Sequence, residues 1–524
     1  MTGSGVLLRF LLRRERRGLV WWLLGATVLF GYQSAGSQSL YSTPEDLAKL
    51  RQTMGGNTAI VAMSGPTELL DTIGGEVVFE IFGYLAIVVA LMNMFLVGRN
   101  TRSDEETGRA ELIRSARVGR HAPLIAALCL AGLADVAVGT LVFAAGVGTG
   151  LPVGGSVLVG AAIAALGLVY ATLTAALVQV FQSTRGVYGA VALALGVSYM
   201  LRAAGDVGGG ALSWASPIGW GQRTFPYSDN RWWPLLLSIA ATVITLLAAL
   251  ALLDRRDFGA GLLPARPGRA TAGWSLGSPY GLAWRLQRGA LAGWTAGAFL
   301  LAAAYGSFVD SVQDFATDNP EIADYLGGSA NVVDSFLALT LAIMALLAAA
   351  FGITGVVRMR AEETSGRAEP VLATPTSRGA WLASHLLVAL GGSALMMAVA
   401  GFGEGLAYAF SVSDPAQIPR LTAVALVHVP AIWLLVGLAA LGLGWLPRFT
   451  APIAWTAFGY CAVIAVFAGS TDLPEWAQSL SPFTHIPEVP LETFSATPLL
   501  TIGIVATVLL IGGYVGLRRR DLGY

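Results

Sequence analysis

"RSDEETGRAELIRSARVGR", Arg102 to Arg120, and "RAEETSGRAEPVLATPTSR", Arg360 to Arg378, are two polar islands in an otherwise apolar chain. Each carries Glu-Glu-Thr followed by Gly-Arg-Ala-Glu. The echo extends outward in order. Arg185 matches Arg448, Ser216-Pro217 matches Ser481-Pro482, and Arg255-Arg256-Asp257 matches Arg519-Arg520-Asp521. Matches in one order at nearly constant separation mark a tandem duplication. The reading is a first unit at 1–253, a linker at 254–280 and a second unit at 281–524.

Around the islands, 55% of the residues are hydrophobic and only 12% are charged, with a mean hydropathy of +0.66. A soluble chain carries about 25% charged residues, so the class is a polytopic membrane protein. The net charge of +0 gives no basic field for nucleic acid. Cys129 and Cys461 each sit in an apolar run, which suits neither a disulfide framework nor a metal site. The stretch "LLRRERRGLVWWLLGATVLFGYQSAGSQ" has the flanks of a signal peptide. It is read as a retained first span, because the later topology needs one there.

A helix crosses ~30 Å of hydrocarbon in ~20 residues, and helices satisfy every backbone group internally. Twelve spans are expected: 19–36, 77–98, 122–147, 155–180, 186–204 and 233–253, then 291–308, 335–357, 381–409, 421–445, 450–468 and 498–517. Arginines crowd the segments on the N-terminal side of the membrane, while segments such as "DSVQDFATDNPEIADY" (Asp310 to Tyr325) on the other side are acidic. The positive-inside bias places both termini in the cytoplasm. Six spans per unit is even, so the repeats are parallel, related by an axis along the membrane normal. Before the first span, "LLRFLLRRERR" (Leu7 to Arg17) is basic and amphipathic, as expected of a helix in the interface plane. Between the fifth and sixth spans, Gly205 to Pro234 is rich in Gly, Pro, Trp and Ser and fits a re-entrant helix pair.

Within the first island, Ser103 and Glu106 fit a capping box, and Glu105 and Arg109 have the favourable acid-to-base spacing of one helical turn. A short helix is expected, with its acids near the positive end. Topology needs arginines, but it does not need this sentence written twice. Two related surfaces suggest a partner with two related docking grooves.

The island "EETSGRAEPVLATPTSR" (Glu362 to Arg378) resembles the segment after the second span in ABC-transporter permeases of the antibiotic and multidrug export type. The six-span unit, the basic stretch before it, the outer segment before the last span and the Arg-Arg-Asp ending resemble that family too. A duplicated chain rich in Arg and Ala is similar to the actinobacterial branch that exports polyketide antibiotics, the tetronasin-resistance type. The resemblance implies a type-2 ABC exporter fold, all-α, with interfacial elbow helices and cytoplasmic coupling helices in a bacterial plasma membrane. It assigns ATPase coupling to Glu105, Glu106, Gly108, Arg109 and Glu111, and to Glu362, Glu363, Gly366, Arg367 and Glu369. The first island departs from the pattern, since "ELIRSARVGR" (Glu111 to Arg120) lacks the proline, so the two sites are expected to be unequal.

No Gly-x4-Gly-Lys-Ser/Thr phosphate loop occurs in the sequence, and its lone lysine, Lys49, sits in "LAKL". ATP hydrolysis by that chemistry is therefore not expected of this chain. ATP and Mg are expected on a separate nucleotide-binding subunit, present in two copies, with no cofactor on the permease itself.

By resemblance, amphiphilic cargo passes between the second and fifth spans. These carry Phe82, Met92, Met94, Phe95, Tyr199, Met200, Met344, Phe351, Trp455, Phe458 and Tyr460. Flexible methionines and broad aromatic faces suit varied cargo, and ordinary packing is the competing account. Ionisable residues inside spans are costly and often functional. Asp135 lies past the midplane, Glu80 and Glu404 lie near the outer edge, and His385 and His428 sit in the third and fourth spans of the second unit. For Asp135 a structural hydrogen bond to a neighbouring helix is the competing explanation, and for the two histidines a structural role is the plainer one. A proton-coupled secondary transporter is the alternative, although the acidic islands and long first outer segment fit it less well. A transferase acting on lipid-linked substrates would need convergent catalytic groups, and none is visible in the sequence.

Overall fold

The computed structural model describes residues 2–41, 43–55, 58–263, 270–309, 312–313, 329–467, 474–487, 489 and 494–521. Among these residues the regular structure is helical, and the β pairing is confined to an isolated bridge between Phe181 and Leu263. The chain separates into two compact units, Met1–Gly268 and Arg269–Tyr524.

The first unit runs through α1 (Ser4–Leu40), α2 (Pro44–Gly55), α3 (Thr58–Ser64), α4 (Ile73–Arg99), α5 (Arg102–Glu106), α6 (Arg109–Arg114), α7 (Ala122–Gly148), α8 (Val153–Val180), α9 (Thr184–Val207), α10 (Pro217–Gln222) and α11 (Leu235–Arg255). The second runs through α12 (Pro279–Ser307), α13 (Ser329–Thr364), α14 (Ala368–Leu372), α15 (Arg378–Val412), α16 (Gln417–Val427), α17 (Val429–Trp445), α18 (Thr450–Phe467), α19 (Glu475–Gln478) and α20 (Ala496–Arg519). The α16–α17 break falls at His428, just before Pro430, which has no N–H for a helical bond.

Ten helices among the described residues are long and apolar enough to cross a membrane, so the chain is an all-α polytopic membrane protein. The other two of the twelve expected spans fall in α1 and α18. The distal half of α1 is made polar by Gln33, Ser34, Ser37 and Gln38. Gln33 turns to Glu80, and Ser34 bonds Thr149 at 2.6 Å. Helix α18 has only 18 residues, and position 468 lies outside the described residues.

The expected elbow is not a separate helix in the first unit. The basic stretch 7–17 and the span 19–36 form one uninterrupted 37-residue helix. Leu and Arg are good helix formers and no proline intervenes, so nothing breaks the backbone between them. In the second unit, likewise, α12 carries Arg285 and Arg288 straight into the apolar run.

Close helix crossings rest on small residues. A methyl group on Gly139 of α7 would collide with the carbonyl of Gly160 of α8, and one on Gly160 with the carbonyl of Gly139. This is how helices approach where both sides are apolar and packing must supply the attraction. Between the fifth and sixth spans of the first unit, Ser216 caps α10 through the amide of Gly219 at 3.3 Å. In the second, Ser481 does the same for the 3-10 turn at Pro482–His485, through the amide of Phe483.

Candidate functional site

The first island breaks where its sequence suggests one helix. Gly108 adopts φ +72, a left-handed conformation, and divides α5 from α6. The expected capping box and the Glu105–Arg109 pair are absent. The residue before α5 is Thr101, with no side-chain cap, and Arg109 points away on its own short helix, 3.9 Å from Asp104. The acids turn inward to partners far along the chain.

Glu105 receives both Nη atoms of Arg256, at 2.5 and 3.0 Å, and Nη1 of Arg102 at 2.7 Å. Arg102 is fully buried and reaches the carbonyl of Val178 at 2.5 Å, closing the end of α8. Arg256 also donates to Gln179 at 2.6 Å and to the carbonyl of Ala260 at 3.0 Å. Glu106 accepts from the amide of Thr184 at 3.0 Å and from its hydroxyl, so it caps α9. Asp104 takes a two-pronged pair from Arg14 at 2.7 and 3.1 Å. The neighbouring carboxylate holds the Arg14 guanidinium above its ordinary pKa, chiefly through that hydrogen bond. Glu15, in turn, binds Arg99.

The second island reaches the same end by a different residue. Glu363 receives Nη1 and Nη2 of Arg520 at 2.5 and 2.8 Å, with Arg360 at 3.0 Å. Glu362 accepts from Arg358 at 3.2 Å and lies 3.8 Å from His385, whose other ring nitrogen meets Gln287 at 3.2 Å. Gly366 is left-handed at φ +70 and opens the turn before α14.

A second contact completes each clamp. Arg120, just before α7, donates to the carbonyl of Arg256 at 2.7 Å. Arg378, which begins α15, donates to the carbonyl of Arg520 at 2.7 Å. In both units, therefore, an island carboxylate grips the guanidinium and an arginine grips the carbonyl of the same terminal residue. The Arg-Arg-Asp echo was the sequence signal for these arginines, but it named no partner.

The rest of each island faces outward. Helix α6 has no buried residue; Leu112 is 76% exposed, and Arg109 and Glu111 are exposed beside it. In the second island Arg367 and Glu369 are exposed. Behind α6 lies a cavity of about 260 Å³ whose walls include Asp104, Ile113, Arg120, Gln179 and Arg256. Arg114, also on its wall, stacks on Phe258 at 4.3 Å.

The expected cargo residues divide by burial. Phe82, Met92, Met94, Met344 and Phe351 lie in the cores of their units. Phe95, Met200 and Trp455 are exposed, and Phe458 meets Trp455 edge-on at 5.5 Å. The Tyr199 hydroxyl donates to the carbonyl of Met63 at 2.5 Å, and that of Tyr460 to the carbonyl of Ala477. Asp135 is fully buried, accepts from Asn93 at 2.7 Å and packs on Gly167, at a junction of α4, α7 and α8. Glu404 is likewise buried and accepts from Thr340 at 2.6 Å, so in each unit an acid of the third span bonds the second. His428 is buried at the α16–α17 break.

A family model described as "Multidrug efflux system permease Rv1217c, C-terminal domain" matches residues 7–253 and 276–518. The chain is 38% identical over 526 residues to the multidrug efflux system permease protein Rv1217c of Mycobacterium tuberculosis, covering 99% of this chain and 95% of that protein. The chain belongs to this permease family.

Proposed function

We propose that the chain is the membrane subunit of an ATP-driven exporter, moving amphiphilic drugs or polyketide-type antibiotics out of the cell. Two copies of a separate ATPase subunit energise it, one at each island, and both termini face the cytoplasm. The relative's name, a multidrug efflux system permease, supports the transport role. The absence of a phosphate loop from the sequence supports a separate ATPase.

The observation that carries the coupling is the repeated clamp. In each unit, the exposed part of an island is tied through a carboxylate–arginine pair to the end of the last long helix. Such pairs link packed elements into one contiguous network, the kind of route that carries coupling, so in this reading a push on α6 or α14 travels into the helix bundle. In this reading Arg109, Glu111 and Leu112, with Arg367 and Glu369, meet the ATPase. Glu105 and Glu363 position that surface, while Glu106 and Glu362 anchor it.

Purification of the complex from its native host, with its intact mass, tests this. One copy of this chain with two ATPase subunits, and cargo-stimulated ATP hydrolysis, is expected. A permease dimer, or transport abolished by a protonophore and indifferent to ATP, would overturn it. The second outcome belongs to the proton-coupled reading, which one feature favours. Glu76 is fully buried in a span, one helical turn from Glu80.

A further inference from the structure

Helix α9 begins at the first island, where Glu106 caps it, and ends at Val207. Near that far end, two arginines share one carboxylate. Arg202 is fully buried, faces Asp206 at 3.6 Å and lies over the ring of Tyr199 at 4.4 Å. Its Nη2 donates to the carbonyl of Met63 at 2.9 Å, while Nε and Nη1 make no hydrogen bond. Arg223 donates to Asp206 at 3.3 Å, and its Nε also makes none. Asp206 is already engaged by Ser213 at 2.6 Å.

Two guanidinium groups against one carboxylate leave one positive charge in excess in a buried setting. Such a charge is costly unless paired and hydrogen-bonded. The unused donors, Nε and Nη1 of Arg202 and Nε of Arg223, can each give a single charge-assisted hydrogen bond to a carboxylate or phosphate oxygen. Beside them stands an apolar surface. Arg223 lies over Trp214 at 5.4 Å, and Trp214 stacks on the half-exposed Trp233 at 4.9 Å.

We propose that Arg202 and Arg223 form a binding site for the anionic head of an amphiphile, a carboxylate or phosphate, whose apolar body lies on the Trp214–Trp233 shelf. The site belongs to the first unit, because the matching segment of the second, 449–497, contains no arginine. It goes beyond the exporter reading. Binding can be measured without ATPase or transport, so either idea can fail alone.

The test uses the full-length chain in phosphatidylcholine nanodiscs, titrated with dodecanoate and with its methyl ester. The carboxylate is expected to bind about tenfold more tightly or better, the worth of one charge-assisted hydrogen bond. Arg223→Gln should abolish that preference. Asp206→Asn removes the competing charge and should strengthen it, a gain that a merely structural arginine would not give. This second variant carries the test if Arg223→Gln does not fold. Discs containing phosphatidylglycerol identify the source: competition with dodecanoate makes the ligand a lipid head group, and no competition makes it a soluble amphiphile. Equal binding of acid and ester, or a preference unchanged in both variants, would overturn the proposal.

Discussion

By sequence, Glu106 in the first island corresponds to Glu363 in the second. By structure, the residue that grips the terminal arginine is Glu105 in the first and Glu363 in the second. The cause is a break in one copy and not the other. Helix α4 ends at Arg99, and α5 starts after a non-helical Thr101 at φ −131, ψ −84. Helix α13 runs unbroken to Thr364. A helix turns about 100° per residue, so this irregular link re-phases the first island and a different acid faces inward. The doubled Glu-Glu supplies an acid for either phase. Re-phasing also frees Asp104 to meet Arg14 and Glu106 to cap α9. The second copy has Ala361 where the first has Asp104 and gains no such tie.

The first island should therefore be the more firmly fixed, and the arginine clamps give the largest test. Removing one partner of a buried ion pair typically costs ~3–5 kcal/mol. Arg256→Gln is expected to fall in that range, because it strips Glu105, Gln179 and Ala260 of a shared donor. Arg520→Gln should cost less, about 1.5–3 kcal/mol, the worth of a hydrogen bond to a charged group: each carboxylate keeps a second arginine, Arg102 or Arg360, but the side chain of Arg520 bonds Glu363 without the further acceptors that Arg256 has. Unfolding in a detergent titration measures both. Equal losses would mean that the extra ties of the first island hold nothing.

The next test separates sequence equivalence from structural equivalence. Glu363→Gln should cost ~1.5–3 kcal/mol through its lost charge-assisted bonds. Its sequence match, Glu106→Gln, loses a helix-end interaction worth ~0.3–1 kcal/mol. Glu105→Gln should instead behave like Glu363→Gln. Thermal unfolding of the three variants decides, and a large loss at Glu106 with a small one at Glu105 would reverse the assignment.

Much of the architecture was legible because hydrocarbon imposes length and apolarity, which are sums over many residues. The long helices follow from that constraint, and the repeated Ser-Pro pairs mark where the turns at Pro217 and Pro482 begin. The island was legible as a place and illegible as a geometry. The Glu105–Arg109 pair was read from spacing along a helix that the left-handed Gly108 interrupts, and the capping box is lost because α5 starts after Thr101 rather than at Ser103. The two-pronged partner of Glu105, Arg256, is 151 residues away, beyond the reach of any local spacing rule. Asn93 was missed for the same reason: it is a neutral residue in a span until folding sets Asp135 beside it. The uninterrupted α1 shows a further limit. Amphipathic character locates a basic stretch near an interface, but a bend needs a breaker, and Leu7 to Arg17 has none.

The smallest stability effect is the most informative about function. Leu112 stands 76% exposed on α6, a helix with no buried residue. A large apolar side chain flanked by Glu111 and Arg109 suits the anchor of a docking helix. Leu112→Asp should change stability by no more than ~0.5 kcal/mol, as surface substitutions do. In the proposed complex with an ATPase it should weaken docking by far more, since a buried apolar anchor is worth ~2 kcal/mol or above. Glu369→Lys makes the matching test on the second island, with the same near-neutral stability. Cargo-stimulated ATP hydrolysis and co-purified ATPase stoichiometry are the readouts. If Leu112→Asp leaves both intact while Glu369→Lys lowers them, the second island alone transmits the stroke. The tighter clamp of the first would then mark a static support, so the two copies of one sentence would have parted in function as well as in phase.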